Sequence, residues 1–412
     1  MPQRPAKPYD PDNPLWKLTD EQLEEIGKEF DALHDEVFND LGDSDARYIK
    51  KMISFQRKLV AASRGVLLFS RFKPAWYAGV AGLSLAKILE NMEIGHNVMH
   101  GQWDWMNDPN IHSSTWDWDT ASPAAAWKHS HNYVHHTYTN VIGKDKDVGY
   151  EIMRIDARQQ WHWPYIFQPV YNILLMAAFE WGVALHDLDF DAIKSGAKDK
   201  KQVWDELKAI GRKGRRQIIK DYIAYPGLSA GASAAVARAT GGDMETAARE
   251  GYKATLVANA IANVVRNVWS HAIIFCGHFP DQTFMFTEEG VQDESRGAWY
   301  VRQLIGAANI DGGPTFHILA GNLSFQVEHH LYPDMPSSRY QQIAPRVREI
   351  CEKYELPYNT GPLRKQWGTV QRTIARLAFP GGEPRRKPGP YVMPAEEKAA
   401  KERLKDMVPA FP

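Results

Sequence analysis

Residues 127–140 read Trp127-Lys128-His129-Ser130-His131-Asn132-Tyr133-Val134-His135-His136-Thr137-Tyr138-Thr139-Asn140. His131 and His135 stand i, i+4, which puts both imidazoles on one helix face a turn apart, and His136 adds a donor about 100° round. A polar surface helix is the plain alternative, but packing has no use for four imidazoles within eight residues. His129 falls on a different face from His131 and is left out of the ligand set.

Two further groups flank this one. Upstream, Glu93-Ile94-Gly95-His96-Asn97-Val98-Met99-His100 repeats the i, i+4 spacing. A zinc-protease helix carries Glu directly after its first His; Asn97 stands there, so that general base is missing. Downstream, Gln326-Val327-Glu328-His329-His330-Leu331-Tyr332-Pro333 sets Gln326 three and four residues before an adjacent His pair, just ahead of a proline. Without His129 the groups supply seven imidazoles. One zinc takes three or four protein ligands, so seven imply two metals, and imidazole suits iron, copper or zinc.

An eighth ligand is expected from Arg266-Asn267-Val268-Trp269-Ser270-His271 and the His278-Phe279-Pro280 that follows. His271 would sit about 10 Å deeper along the helix than His278, at about 1.5 Å per residue. His278, at the helix end, is preferred. Glu93 and His96 make one Glu-x-x-His motif without a second, so the site is His-rich and carboxylate-poor, unlike soluble di-iron bundles. Asp145 and Asp147, in Gly143-Lys144-Asp145-Lys146-Asp147-Val148-Gly149, read as hydrogen-bonding partners of the imidazoles or, more simply, as a surface turn.

The chain has 412 residues; 49 basic and 50 acidic residues leave a net charge of −1, which gives no electrostatic case for nucleic acid. Two cysteines, Cys276 and Cys351, exclude a disulfide framework or a four-Cys cluster. The opening residues hold no apolar core, so no signal peptide is expected. A mean hydropathy of −0.46 argues against a chain living mostly in lipid yet leaves room for a few spans. The candidates are 59–89 as a hairpin, 159–185, 222–240 and 253–277. If the three His groups share one site, an even number of crossings separates residue 136 from 329. Loop 187–221, with ten Lys/Arg, favours the cytoplasm, which makes 159–185 interfacial and 222–240 with 253–277 the crossing pair. The expected fold is all-α and integral to the membrane, with about four transmembrane helices capped by a cytoplasmic helical domain that carries the His groups.

Three regions follow: an arm and helix over 1–50, the main domain over 51–355 and an extension over 356–412. Thr19 and Gln22 make a capping box, Leu18 and Leu23 a hydrophobic staple, and an amphipathic helix runs to about residue 41. Tyr340, Ile343, Val347, Ile350 and Tyr354 mark a second, with Pro345 a kink. A Pro/Gly/basic linker over 381–394 and a short charged helix near 395–407 close the chain.

The set His96-Asn-Val-Met-His100, His131-Asn-Tyr-Val-His135-His136 and Gln326-Val-Glu-His329-His330 resembles the histidine boxes of membrane fatty acid desaturases. The third box is of the Gln-x-x-His-His type, and the likeness covers roughly residues 50–355. The stretches around His96–Asp108 and Arg266–Asp281 are similar to actinobacterial acyl-CoA desaturases acting at the Δ9 position.

The resemblance implies two ferrous ions held by His96, His100, His131, His135, His136, His278, His329 and His330, with Gln326 where many relatives place another His. It implies an O2-dependent, cis-specific desaturation of a saturated acyl chain on CoA or a lipid. No His-Pro-Gly-Gly haem motif is present, so electrons are expected from NAD(P)H through a separate ferredoxin or flavin reductase, docked on the basic tail. The implied partners are the lipid bilayer and the acyl substrate, and the location a bacterial inner membrane with the site facing the cytoplasm. A C–H bond with no acid, base or leaving group needs such a redox cofactor.

Seven tryptophans over 103–163 are expected to wall an acyl channel or to form an interfacial belt. Lys128, Arg154, Arg158 and the 212–216 cluster offer cations for a CoA phosphate, or simply a solvated surface. A lipid hydroxylase is the nearest rival; a metal transporter would carry its ligands inside crossing helices; a zinc hydrolase lacks its Glu.

Overall fold

The computed structural model describes residues 12–382 and 385–395. The segment 1–11 and nearly all of the charged stretch near 395–407 lie outside the described residues. Helix Asp20–Asn39 begins where the capping box puts it. The Thr19 hydroxyl accepts the Gln22 N–H at 3.2 Å, and Gln22 Oε1 accepts the Thr19 N–H at 2.9 Å. Its apolar stripe, Ile26, Phe30, Leu33 and Val37, joins one core with Tyr300, Val301 and Leu304 of helix Arg296–Gly306 and with Ile343 and Val347 of helix Tyr340–Lys353. Val327, Leu331 and Tyr332 belong to the same core, so burial of the short helix Gln326–Leu331 fixes where His329 and His330 point.

Gly297 sets how closely the first of these helices can approach. A Cβ there would lie 1.8 Å from the Leu23 carbonyl oxygen. Gly297→Ala therefore forces backbone apart, and overpacking of this kind costs about 1–3 kcal/mol or more. A calorimetric midpoint equal to that of the parent chain would contradict the close crossing.

A second layer packs helix Asp43–Leu67 on Lys73–Leu89, and both Lys73–Leu89 and Tyr225–Ala239 on the long helix Met244–His278. Polar groups along these helices meet each other inside. Arg64 donates to Asp221 and Asn259 at 2.6 Å each, Lys87 donates to Asp221 at 2.9 Å, and Arg266 pairs with Glu180.

These same groups overturn the expectation of about four transmembrane helices. Among the described residues no helix is long and apolar enough to cross a membrane. Met244–His278 has the length, at 35 residues, but carries Glu245, Arg249, Glu250, Lys253 and Arg266. Tyr225–Ala239 has 15 residues, and the 159–185 stretch breaks into a 3-10 turn Trp163–Phe167 and helices Gln168–Ala177 and Phe179–His186. A span needs about 20 apolar residues. Large apolar side chains nevertheless face outward, among them Phe167, Val170, Ile173 and Leu174.

The chain is mostly helical, though not wholly: Asn309–Asp311 pairs in parallel with Thr360–Pro362. This two-stranded ribbon delivers helix Leu363–Leu377 onto Met244–His278. Pro345 sits inside the continuous helix Tyr340–Lys353.

Candidate metal centre

The first two histidine groups sit on helices that widen where the histidines begin. Lys73–Leu89 runs on through a π-helical turn, Glu90–His96, into Asn97–Met99, with His100 as its cap. Ala124–Trp127 runs through a second π turn, Lys128–His135, into His136–Tyr138. Such turns recur at functional sites, and they change the angular spacing that an ideal α-helix would give. Gly95 permits the first: a Cβ there would meet the Glu90 carbonyl oxygen at 2.7 Å.

The widened helices and the core-anchored third group converge. In His96, His100, His131 and His329 the candidate ligand nitrogens lie within 4.8 Å of one another, and the same holds for His135, His136 and His330. The sets touch through His131 and His135, ring centroids 4.9 Å apart, and through His136 and His329 at 4.9 Å. His278 lies 4.7 Å from His135 and 4.8 Å from His330, beside the second set. Gln326 places Nε2 3.0 Å from His278 Nε2, and its buried Oε1 has no partner.

One nitrogen of each of five rings is tied down from outside. His96 Nδ1 meets Asn97 Oδ1 at 2.9 Å, His131 Nδ1 meets Asp147 at 3.1 Å, and His135 Nδ1 meets Asp145 at 3.0 Å. His330 Nδ1 lies 3.1 Å from Gln303 Oε1. His329 Nδ1 lies 3.1 Å from the Tyr340 hydroxyl, which itself donates to the Tyr332 carbonyl, so the imidazole is the donor. Fixing Nδ1–H in this way turns the lone pair of Nε2 inward, the usual orientation of a metal-binding histidine.

The inward nitrogens test the fit. Nε2 of His100, His131, His135, His136, His329 and His330 is buried without any hydrogen-bond partner. Six such orphans in one place would be expensive in a protein interior, and a pair of imidazole-binding metal ions would satisfy them. The third cluster, His131, His135 and Asp147, is then the outer face of the same site, because the carboxylate bonds to His131 Nδ1 and leaves its Nε2 facing inward.

Burial also favours the neutral form of most of the rings. It lowers His96 to about 3, aided by His131, and holds His100, His136, His278, His329 and His330 well below the ordinary value. His131 is lowered by burial against the pull of Asp147. Burial opposes charge on His135 and His186 as well, but Asp145 and Asp147 outweigh it on the first and Asp147 on the second, and both are raised. Lowered rings bind protons later than in the unfolded chain, so stability is full above about pH 6.5 and is lost as pH falls toward the folded values. Lowered groups outnumber raised ones. Protein stripped of metal should lose about 5–10 °C in calorimetric midpoint between pH 7 and pH 5. A flat midpoint would mean that the rings are not buried neutral.

A cavity with ≈ 750 Å³ of empty space, its open mouth included, reaches the first set at His96 and His131, and has His278, beside the second set, in its wall. Met92, Trp118, Trp127, Phe179, Val183 and Ile274 make it largely apolar. Of the seven tryptophans over 103–163, Trp118 and Trp127 line it. Trp103 is packed with Ile49 and Ile94, and Trp161 donates to the Ala378 carbonyl. Trp163 stands outside at 68% exposure.

Other residues singled out by the sequence stay apart. His271 bonds Asn172 at 3.0 Å and stacks on Phe275, and His129 is exposed beside Tyr133. Asp145 and Asp147 do not form a surface turn; they face His135 and His131. Lys128 is bonded to the Ser113 carbonyl, Arg154 is buried among carbonyls, Arg158 pairs with Asp156 and Lys213 with Asp117, so these cations are already engaged. Gln303, Tyr340 and His186 were not legible as site residues, since nothing in their spacing ties them to a histidine; Asn97, next to His96, was noted only as the absence of a zinc-protease Glu.

Residues 74–362 match the family model described as fatty acid desaturase. The chain is 47% identical over 363 residues to an NADPH-dependent stearoyl-CoA 9-desaturase of Mycobacterium tuberculosis, covering 88% of this chain and 82% of that one. It is 24% identical over 331 residues to an sn-1 linoleoyl-lipid 6-desaturase of Synechocystis, covering 78% and 86%. A human fatty acid desaturase 3 shares 29% identity over 126 residues, 31% of this chain and 26% of that one.

Proposed function

The chain belongs to the fatty acid desaturase family and is an oxidoreductase, and from that premise we propose that it sets a cis double bond at the Δ9 position of a saturated acyl-CoA. The supporting observation is that one largely apolar cavity is walled by His96 and His131 of the first set and by His278 beside the second, in a chain 47% identical to a stearoyl-CoA 9-desaturase. His96, His100, His131 and His329 would hold one iron, and His135, His136, His330 and His278 the second, with Gln326 beside His278. Bound there, iron would supply the redox chemistry: the acyl substrate loses two hydrogens while O2, with these, two electrons and two protons, becomes two waters. The electrons are proposed to come from NADPH through a separate ferredoxin or flavin reductase.

What this chain does is positional. Trp118, Trp127, Phe179 and Ile274 offer apolar walls that would hold an acyl segment against His96, His131 and His278 and keep water from it. Asn97, Asp145, Asp147, Gln303 and Tyr340 hold the rings in one tautomer. The proposed location is a bacterial inner membrane with the cavity facing the cytoplasm; uncovered apolar side chains such as Phe167 and Leu174 support it. Recovery of the chain in the cytosolic fraction would contradict that location.

Expression in a host that makes no unsaturated fatty acids tests the activity. Gas chromatography of its methyl esters should show a new monounsaturated species, two hydrogens lighter than its parent, with the double bond after C9. A product heavier by one oxygen, or no product from iron-loaded protein supplied with a reductase, would overturn the reading.

A further inference from the structure

His186 belongs to no histidine group in the sequence, yet the fold buries it at the edge of the metal centre. It is the last residue of helix Phe179–His186, 8% exposed, with its ring edge-on to Tyr150 at 5.2 Å. Its Nε2 lies 3.1 Å from Asp147 Oδ1. The other oxygen of that carboxylate lies 3.1 Å from His131 Nδ1. Asp147 is thus held between two imidazoles, one oxygen to each, and both His186 and Asp147 are in the cavity wall.

We propose that His186 is a positioning residue: it locks the rotation of Asp147, and through Asp147 the ring of His131. The inference rests on the reading that the histidine sets hold iron. The geometry gives the reason. A carboxylate bonded through Oδ2 alone can turn about its Cβ–Cγ bond, and its free oxygen would be left without a partner in a largely apolar wall. With His186 donating to Oδ1 the carboxylate plane is set, and the His131 Nε2 lone pair is aimed into the first set. His186 also ends the helix that contributes Phe179, Glu180 and Val183 to the cavity. The wall that would press on an acyl chain is therefore tied by two hydrogen bonds to one ligand of the first metal site.

The test uses the full-length, iron-loaded protein and a pair of variants differing by one methylene. His186→Gln keeps an N–H able to reach Asp147, and His186→Asn falls short of it with the same amide chemistry. Three quantities are read: the rate at which a chelator removes each iron, kcat against KM, and the Mössbauer signature of the two irons. Partners of this kind are worth about 10–100-fold in metal affinity or activity. His186→Asn should lose one iron about 10–100-fold faster, with kcat falling, KM within about twofold and one of the two Mössbauer components altered. His186→Gln should stay within about threefold of the parent on every count. The proposal is overturned if His186→Asn keeps both irons and kcat, if His186→Gln fails as badly as His186→Asn, or if only KM rises. Parent protein with neither iron nor desaturation would sink the underlying reading together with this one. An iron-loaded, active parent with an indifferent His186→Asn sinks this one alone.

Discussion

Replacing His136 by Ala should abolish desaturation and leave about one iron where the parent binds two. His136 stands where the sets meet: its ring lies 4.8 Å from His100, 4.9 Å from His329, 4.6 Å from His330 and 5.3 Å from His135. Both of its nitrogens are buried without a partner. No other ring on its helix can swing into that place, because His131 and His135 are pinned from behind by Asp147 and Asp145. Losing a partner one bond further out costs about 10–100-fold, so losing the ligand itself should exceed about 100-fold in turnover. Metal analysis with a turnover assay checks it; two irons and parental turnover in His136→Ala would mean that this ring is a spectator.

Asp145→Ala should come next in size, and by a different route. The Asp145 carboxylate is buried and serves three donors: His135 Nδ1–H at 3.0 Å, the Asn140 N–H at 2.7 Å and the Asp147 N–H at 3.0 Å. Asn140 sits at φ +59, so this turn is also held in a left-handed conformation. Removing the carboxylate frees the His135 ring and leaves buried N–H groups unmet, each worth about 1–3 kcal/mol. The expected result is a midpoint lower by several degrees together with about a 10–100-fold loss of metal retention. Asp145→Asn, with one acceptor oxygen in place of two, should fall between. An unchanged midpoint with unchanged iron in Asp145→Ala would remove Asp145 from the site.

The histidines could be found in the sequence because their pattern is local. Imidazoles at i, i+4, or adjacent, state their own purpose within eight residues, and the chemistry that needs seven of them is narrow. Helix Asp20–Asn39 was legible for the same reason, its start written in Thr19 and Gln22. What the rings need behind them is not local. Gln303 reaches His330 across 27 residues, Asp147 reaches His186 across 39, and no periodicity relates them. Asp145 and Asp147 looked like turn residues because in sequence they are: alternating with lysines between two glycines, they resemble any exposed loop until the fold turns both carboxylates inward.

Hydropathy misled for a related reason. An average over 253–277 or 222–240 cannot show that Asn259, Arg64, Asp221 and Lys87 satisfy one another inside a helical layer. Nor could it show that Ala178 interrupts the most apolar stretch. The long-range partners of polar groups decide both matters.

The most direct test of the metal centre is diffraction from crystals of the iron-loaded protein, with data collected on either side of the iron absorption edge. Two anomalous peaks are predicted, one enclosed by His96, His100, His131 and His329, the other by His135, His136 and His330 with His278 alongside. A single peak, or iron bound away from these rings while they remain empty, would contradict the account.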